Sequence, residues 1–330
     1  MNADRSRYLM RGAAAMWILG SSLCLACPAK AADPPTLRIG YGSAAEEQLY
    51  VLLAKPDIGK NYGKAYRLEG SRFQSSTQRS QAFEANAIDL ASSGAVGVLF
   101  AAAEGVTGKV IASLARESPR GFATSYYVKD DSPIKTVPDA KGKIVGINGF
   151  ATDGQLWLKT AMERHNLSDS DVTITPVPFP AMAEALKSGK VDVGEFPQPF
   201  ADMLEKEMKV RKLFDSQYGM PFEQELIVLL GKDAFLKQNA AAIRGFLEDL
   251  QASTRFYLEK PHEARQIILD AKTVRLNSDI YMNMRDYYRD PSLRPDVAAL
   301  ERVQEVMIKT GFTKKRADVP ALVDVNYLPK

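Results

Sequence analysis

Ala82-Phe-Glu-Ala-Asn-Ala-Ile-Asp-Leu-Ala91 and Ala185-Leu-Lys-Ser-Gly-Lys-Val-Asp-Val-Gly194 share nearly the same pattern of residues. In each segment a helical run ends at a turn-forming residue, Asn86 or Gly189, and a strand with the pattern apolar, Asp, apolar follows. Two copies of a helix-turn-strand unit predict two similar α/β lobes. A ligand would then lie where the strands of both units end.

The N-terminus has the pattern of a secretory signal peptide. Arg5, Arg7 and Arg11 form a basic region, residues 12–26 are apolar, and residues 29–31 form an Ala-x-Ala cleavage site. The apolar stretch is shorter than the ~20 residues that a membrane-spanning helix needs, so cleavage is favoured over an uncleaved anchor. We therefore expect a signal peptide over residues 1–31 and an exported mature protein.

Cleavage after Ala31 changes both the cysteine content and the charge. It removes Cys24 and Cys27, the two cysteines of the chain, which excludes nucleophilic cysteine chemistry and suits an oxidising compartment. It also removes a net +3, the whole formal charge, so no basic surplus supports binding to nucleic acid or to an anionic membrane. Lipid modification of Cys27 is the alternative to cleavage.

Strands and helices alternate along the mature chain. With 330 residues and 45% hydrophobic content, the chain can build about two domains with a large core. Strand, small-residue turn and helix recur from residue 36 to residue 231, which predicts an α/β fold with largely parallel sheets. After residue 234 the pattern is helical, with helices expected over 235–259, 262–270, 278–288 and 295–310 and packed on the back of the first lobe.

The middle of the chain resembles a known family. Tyr126-Tyr-Val-Lys-Asp-Asp-Ser-Pro-Ile-Lys135 and Asp139-Ala-Lys-Gly-Lys-Ile-Val-Gly-Ile-Asn148 are similar to the segment after the hinge in periplasmic substrate-binding proteins of ABC importers. The resemblance is to the group that takes up nitrate, alkanesulfonates, taurine, aromatic acids and thiamine precursors. It implies a type II periplasmic-binding-protein fold, with two α/β lobes joined by two crossing strands. Lobe one would comprise 32–122 and 229–330, and lobe two 123–228.

The resemblance implies a solute-binding role without catalysis. A monomer would capture a small organic anion, a sulfonate or an aromatic or aliphatic carboxylate, by hinge closure and deliver it to an ABC permease and its ATPase. The alternatives are a thiamine-precursor (pyrimidine or amine) binding protein, an enzyme on the same fold and a sensor for a membrane kinase. Two departures from the family pattern, at Ala95-Val96 and at Gln198-Pro199, lie in the expected cleft.

Two loops that begin helices are expected to bind the anion. Ser93 and Gly94 in lobe one would face Ala151, Thr152 and Asp153 in lobe two, because free N–H groups at a helix N-terminus attract negative charge. The alternative is that the hydroxyl residues of these loops only cap helices.

The remaining candidates form the walls and anchors of the site. Arg72 is the preferred cationic anchor, since a guanidinium can hold a carboxylate or sulfonate through two parallel hydrogen bonds. Arg116 and Arg120 are weaker choices, and Glu195 would instead select an amine. The other ligand-binding candidates are the aromatic residues Tyr41, Phe73, Phe150, Phe196 and Tyr218 together with Gly42, Ser43, Gln74, Ser92 and Gln198.

Enzyme motifs are not apparent in the sequence. His165 and His262 lie at expected helix ends and are interpreted as structural, and neither has the spacing of a metal ligand. The glycines at 40–42 and 105–108 lack the spacing of dinucleotide-binding and phosphate-binding loops. We therefore expect no cofactor, no metal and no catalytic residue.

Overall fold

The computed structural model describes residues 33–106, 108–274 and 277–330. The expected signal peptide and both cysteines lie outside the described residues. Ten strands are present among those described: β1 (Thr36–Tyr41), β2 (Arg67–Arg72), β3 (Leu90–Gly94), β4 (Lys109–Glu117), β5 (Ser125–Lys129), β6 (Ile144–Ile147), β7 (Thr173–Pro176), β8 (Val193–Phe196), β9 (Val210–Asp215) and β10 (Gln224–Gly231).

Helices separate most of these strands. They are α1 (Glu47–Ala54), α2 (Ser76–Glu84), α3 (Ala95–Ala103), α4 (Asp153–Glu163), α5 (Phe179–Lys187), α6 (Phe200–Glu207), α7 (Ser216–Gly219), α8 (Asp233–Gln238), α9 (Ala240–Glu259), α10 (Pro261–Asp270), α11 (Ser278–Asn283), α12 (Val297–Lys309) and α13 (Val319–Leu322). Within the described ranges, no helix is both long and apolar enough to cross a membrane.

The strands form two five-stranded mixed sheets. The first sheet has the order β2-β1-β3-β10-β4 and the second the order β7-β6-β8-β5-β9. In each sheet the first three strands in this order pair in parallel. The fourth strand is antiparallel to the third: β10 pairs with β3 in the first sheet, and β5 pairs with β8 in the second. The predicted α/β class with two similar halves is thereby confirmed.

The repeated segment makes the same contact in both sheets. Asp89 N donates to Arg38 O and Asp192 N donates to Ile144 O, each at 2.8 Å. The same pairs also bond in the other direction. Asp89 Oδ2 accepts a hydrogen bond from Arg38 N at 3.3 Å, and Asp192 Oδ2 accepts one from Ile144 N at 2.8 Å. The repeated aspartate therefore secures its strand, β3 or β8, against the start of the neighbouring parallel strand.

The turns before these aspartates are also alike. Asn86 and Gly189 have φ values of 62° and 77°, in the left-handed region that asparagine and glycine tolerate best. The predicted helix-turn-strand unit is present twice.

Two segments cross between the sheets. One joins β4 to β5 through residues 118–124, and the other joins β9 to β10 and contains α7. β10 begins at Gln224 and belongs entirely to the first sheet, so the lobe boundary expected at residues 228/229 falls within a strand.

The C-terminal helices pack mainly against the first sheet. Ile243, Phe246 and Leu250 of α9 share a buried apolar cluster with Leu37 of β1 and Leu229 of β10. The apolar face of a long amphipathic helix thus covers one side of this sheet.

The helical tail differs from the sequence prediction in two places. The expected helix over 235–259 is broken at Asn239 into α8 and α9. The helix expected over 278–288 ends at Asn283, because the next residues are extended and Tyr288 pairs with Arg116 of β4 in an antiparallel bridge. Local helical periodicity is overridden there by pairing with a sheet edge.

Candidate ligand-binding cleft

A cleft with about 640 Å³ of space, partly open to solvent, lies where the strand ends of both sheets face each other. The first-sheet half contributes the loop after β1, the start of α2 and the end of β3. The second-sheet half contributes the residues after β6, the first turn of α4 and the end of β8. The residues that line the whole cleft are Gly42, Ser43, Ala44, Ala45, Glu46, Phe73, Gln74, Ser75, Ser76, Arg79, Gly94, Thr124, Asn148, Thr152, Asp153, Gly154, Trp157, Phe179, Glu195, Pro197, Leu226, Ile227 and Tyr287.

Arg79 of α2 is the one Lys or Arg side chain among the described residues that line this cleft, and it is only 5% exposed. Its Nη1 atom lies 4.0 Å from Glu46 Oε1, outside hydrogen-bond distance. Within the described part of the chain, no acceptor makes a hydrogen bond to the Arg79 guanidinium. A buried guanidinium with unused donors is a strong potential partner for a carboxylate or sulfonate.

Three acidic side chains also line the cleft, and burial suppresses their negative charge. Loss of hydration raises the pKa of Asp153 to about 7. The same effect, increased by the nearby Asp153 and Glu117 carboxyls, raises the pKa of Glu195 to about 8. Burial also raises the pKa of Glu46, although Arg79 and the Gly42 N–H oppose this rise. The cleft is therefore less negative at neutral pH than its three acids suggest.

Asp153 connects the two halves of the cleft. Its Oδ1 atom accepts a 3.2 Å hydrogen bond from Val96 N in the first turn of α3. Gly94 precedes this helix, and a Cβ atom at Gly94 would overlap Asp153 Oδ2. The N-terminus of α3, where an external anion was expected, thus already holds a carboxylate of the protein.

Glu195 and Asn148 lie side by side on the second-sheet wall. Asn148 N, at the end of β6, donates to Glu195 Oε2 at 3.0 Å. Asn148 Nδ2 reaches Ser76 Oγ at 3.3 Å, whereas the buried Asn148 Oδ1 has no hydrogen-bond partner among the described residues. The second-sheet wall therefore presents hydrogen-bond acceptors to the cleft.

Glu117 lies behind the cleft and binds both crossing segments. Its carboxylate accepts hydrogen bonds from Thr124 N, from Thr124 Oγ1 at 2.5 Å and from Ser216 Oγ at 2.6 Å. Burial raises the pKa of Glu117 to about 7 despite these donors. One buried carboxyl therefore joins the two connections between the sheets.

Eight of the candidate residues from the sequence line the cleft together: Gly42, Ser43, Phe73, Gln74, Gly94, Thr152, Asp153 and Glu195. Thr152 is also the N-cap of α4, because its hydroxyl accepts Gln155 N. Gly94, by contrast, precedes α3 without any side-chain cap. Participation of these eight residues in binding stays a prediction.

The preferred anchor, Arg72, does not line the cleft. It is exposed and donates to Thr273 O at 3.2 Å. Arg116 is buried in ion pairs with Glu223 and Glu225, and Arg120 also pairs with Glu223. None of these three arginines lines the cleft.

Ser92 and Ser93 belong to β3, not to a helix start, because the strand continues to Gly94. They line a second, mostly apolar cavity between α2 and α3, and Arg79 lines both this cavity and the cleft. Phe150 and Ala151 line a third, shallow cavity, and Phe150 is 56% exposed.

Four further candidates are engaged in packing away from the cleft lining. Phe196 is fully buried in the apolar core. Gln198 is also buried, and its backbone N–H donates a hydrogen bond to Tyr287 Oη. Tyr218 bonds His165 Nε2 through its hydroxyl at 2.7 Å, and Tyr41 packs against the ring of Tyr50.

Sequence reasoning missed several lining residues, namely Glu46, Arg79, Thr124, Asn148, Trp157, Phe179, Leu226 and Tyr287. Arg79 carried a signal that could have been used: on α2 it lies four residues before Phe83, so both fall on the buried face of a mostly polar helix. Tyr287 carried none, because it reaches the cleft from the distant C-terminal region.

In the part of the chain that the structure describes, no three His, Cys, Asp or Glu side chains are grouped as a metal site requires.

Two mixed sheets joined by two crossings around a cleft define the periplasmic binding protein fold, and known structures share it. The alkanesulfonate-binding protein SsuA from Xanthomonas axonopodis pv. citri, solved with MOPS bound, superposes with a TM-score of 0.74 at 19% identity, over 89% of this chain and 99% of that chain. The NMT1/THI5 like family model matches residues 72–264, and the chain belongs to this family.

Two curated relatives are also similar. A protein of Escherichia coli (strain K12) assigned as an aliphatic sulfonates-binding protein is 26% identical over 293 residues, 87% of this chain and 88% of its own length. A protein of Haemophilus influenzae assigned to thiamine biosynthesis is 30% identical over 201 residues, 58% of this chain and 62% of its own length. These similarities support a solute-binding role.

Proposed function

We propose that this protein is the periplasmic solute-binding component of an ABC importer and that it holds a small organic anion, a sulfonate or carboxylate, against Arg79. The observation that carries the proposal is the buried Arg79 guanidinium, which lines the cleft with its donors unused. A guanidinium can donate two parallel hydrogen bonds to two oxygens of one carboxylate or sulfonate group.

The apolar walls support a ligand with a hydrocarbon part. Phe73, Trp157, Phe179 and Leu226 contribute aromatic and aliphatic surface to the same cleft. Small-molecule sites characteristically combine such walls with a few polar anchors. This combination favours an alkyl or aryl anion over a bare inorganic ion.

Closure of the cleft would follow from the two crossings. Relative motion of the sheets about residues 118–124 and the segment before β10 would open and close the lining, and Glu117 would hold both segments in register. The closed form would be the one presented to the permease and its ATPase.

The relatives favour this function over an enzyme. The proteins from Escherichia coli and Xanthomonas are named for binding sulfonates. The Haemophilus relative and the acceptor wall around Glu195 favour a second candidate, a thiamine-precursor (pyrimidine or amine) binding protein. The two candidates differ in whether the ligand needs an anionic group.

A thermal-shift panel of alkanesulfonates, aromatic carboxylates and aminopyrimidines tests the proposal. At 100 times its Kd, a ligand stabilises the folded state by about 2.7 kcal/mol, which should raise the melting temperature by several degrees. Arg79→Gln should abolish the shift given by anions, and Arg79→Lys should restore only part of it. Arg255→Gln, on the exposed face of α9, is the matched control for loss of one positive charge.

Two results would overturn the proposal: stabilisation by aminopyrimidines alone, or anion binding that survives Arg79→Gln unchanged. If Arg72→Gln loses binding and Arg79→Gln does not, the anion-binding residue is Arg72, the anchor that the sequence analysis preferred. Mass spectrometry of the ligand retained by the purified protein identifies the compound independently of any panel.

A further inference from the structure

We infer that the ligand carries, besides its anionic group, an amino or other N–H donor group, and that Glu195 and Asn148 bind this donor. The inference rests on the proposed function, because it assigns the anionic group to Arg79. Arg79 lies in α2, on the first-sheet side of the cleft, whereas Glu195 lies in β8 and Asn148 follows the adjacent strand β6 of the second sheet. The two sides of the cleft thus differ: the first offers a hydrogen-bond donor and the second offers acceptors.

The acceptors on the second-sheet side are incompletely paired. Asn148 Oδ1 is buried without a partner among the described residues, and in that same part of the chain no donor reaches Glu195 Oε1. A buried acceptor without a donor has lost its hydration with nothing in exchange, and a ligand N–H group would recover that loss. A carboxylate or sulfonate oxygen cannot satisfy Asn148 Oδ1, since it brings no proton.

The surroundings of Glu195 favour a ligand group that brings positive charge. The carboxyl is 3% exposed, and the charged or titratable groups that act on it are the carboxyls Asp153 of α4 and Glu117 of β4. Gly154 lies directly against it, because a Cβ atom there would overlap the Glu195 oxygens. No cation of the protein is paired with Glu195 in the described chain, so an ammonium group would be its first opposite charge.

Matched ligand pairs test the inference by isothermal titration calorimetry at pH 7. Propane-1-sulfonate is compared with 3-aminopropane-1-sulfonate, and butanoate with 4-aminobutanoate, because each pair differs only in the terminal amino group. We expect the amino ligand of at least one pair to bind at least tenfold tighter. Glu195→Gln should reduce this preference to threefold or less, and Asn148→Ala should reduce it in part.

The binding reaction also offers a proton readout. Because the pKa of Glu195 lies above 7 without ligand, an ammonium ligand should displace a proton from it. Calorimetry in two buffers with different ionisation enthalpies should detect this release in the wild type and its loss in Glu195→Gln. Circular dichroism of the variants verifies that they fold.

The outcomes separate this inference from the proposed function. If the unsubstituted anions bind as tightly as the amino ligands or tighter, the inference is wrong and the proposed function stands. If the preference persists in a folded Glu195→Gln, the assignment to Glu195 is wrong. If no member of either pair binds and simple amines bind instead, the proposed anion function is wrong.

Discussion

Asp153 in the first turn of α4 accepts a 3.2 Å hydrogen bond from the backbone N–H of Val96 in the first turn of α3. The two helices follow strands of different sheets, so this bond joins the halves of the cleft. It also places a protein carboxylate at a helix N-terminus, where negative charge is stabilised. The ligand's own charge must therefore be held elsewhere, which is why Arg79 is central to the proposal.

Replacement of Asp153 tests this connection. Asp153→Ala should lower the free energy of unfolding by about 1–3 kcal/mol, because Val96 N–H loses its buried acceptor. Asp153→Asn keeps an acceptor and removes a charge that burial disfavours, so its cost should be smaller at pH 8, above the Asp153 pKa of about 7. Urea denaturation at pH 8 measures both. An alanine variant as stable as wild type would show that the bond contributes nothing.

Two glycines of the same region form a matched pair. Gly94→Ala would push the Asp153 carboxylate away, whereas a Cβ atom at Gly97 would lie 3.4 Å from Ala151 O, a tolerable contact. We expect Gly94→Ala to lower the melting temperature by several degrees and to weaken ligand binding. Gly97→Ala, inside α3, should change stability by less than about 1 kcal/mol because alanine favours the helix. The reverse order would contradict the packing described around Asp153.

The pH dependence of stability follows from the buried carboxyls. Glu195 has a pKa of about 8 in the folded chain against 4.5 for a free glutamate, so the folded state binds its proton more tightly. Its contribution is therefore fully present below pH 4.5 and is lost as the pH rises to about 8, with a slope of up to about 1.4 kcal/mol per pH unit. Glu117 and Asp153, each with a pKa of about 7, act in the same direction.

Glu195→Gln should flatten this pH profile, because glutamine does not titrate. Glu184→Gln, on the exposed surface of α5, should leave the profile unchanged and serves as the control. The measurement is the free energy of unfolding in urea between pH 5 and pH 9. Identical slopes for the wild type and Glu195→Gln would show that Glu195 does not retain a proton in the folded state.

Glu117 is expected to control the crossings. Glu117→Ala leaves Thr124 N, Thr124 Oγ1 and Ser216 Oγ without their shared acceptor and should destabilise the fold by about 2–4 kcal/mol. Glu117→Gln keeps one acceptor oxygen and should cost less. Urea denaturation gives the cost, and small-angle scattering with and without ligand shows whether the crossings still close the cleft. A stable alanine variant with unchanged closure would remove Glu117 from the hinge.

The parts of the fold that could be predicted are those encoded by neighbouring residues. The helix-turn-strand unit is local, since Asn86 and Gly189 supply the left-handed turn and each aspartate follows at a fixed spacing. Amphipathic periodicity likewise predicted a helix over 235–259, and α9 covers most of this range. Boundaries were less accurate where a partner strand intervened, as at Ser92 and Ser93, which extend β3 in pairing with β10.

The candidate site was predicted only in part, for a similar reason. Loops that follow strands must collect at one edge of each sheet, and this rule correctly gathered Gly94, Asp153 and Glu195 around one cleft. The rule does not say which of two nearby arginines turns inward. Arg72, at the end of β2, is exposed and bonds Thr273 O, whereas Arg79, one turn into α2, is buried and lines the cleft.

The sequence by itself determined the two-sheet α/β architecture, because turn chemistry and hydrophobic periodicity act over a few residues and need no knowledge of distant partners. Only the tertiary structure decided which charges face the ligand. Burial, the pKa values of Asp153 and Glu195, and the occupation of the α3 N-terminus by Asp153 all depend on groups brought together from different sheets. Electrostatics in a cleft is set by these long-range neighbours and by the exclusion of water.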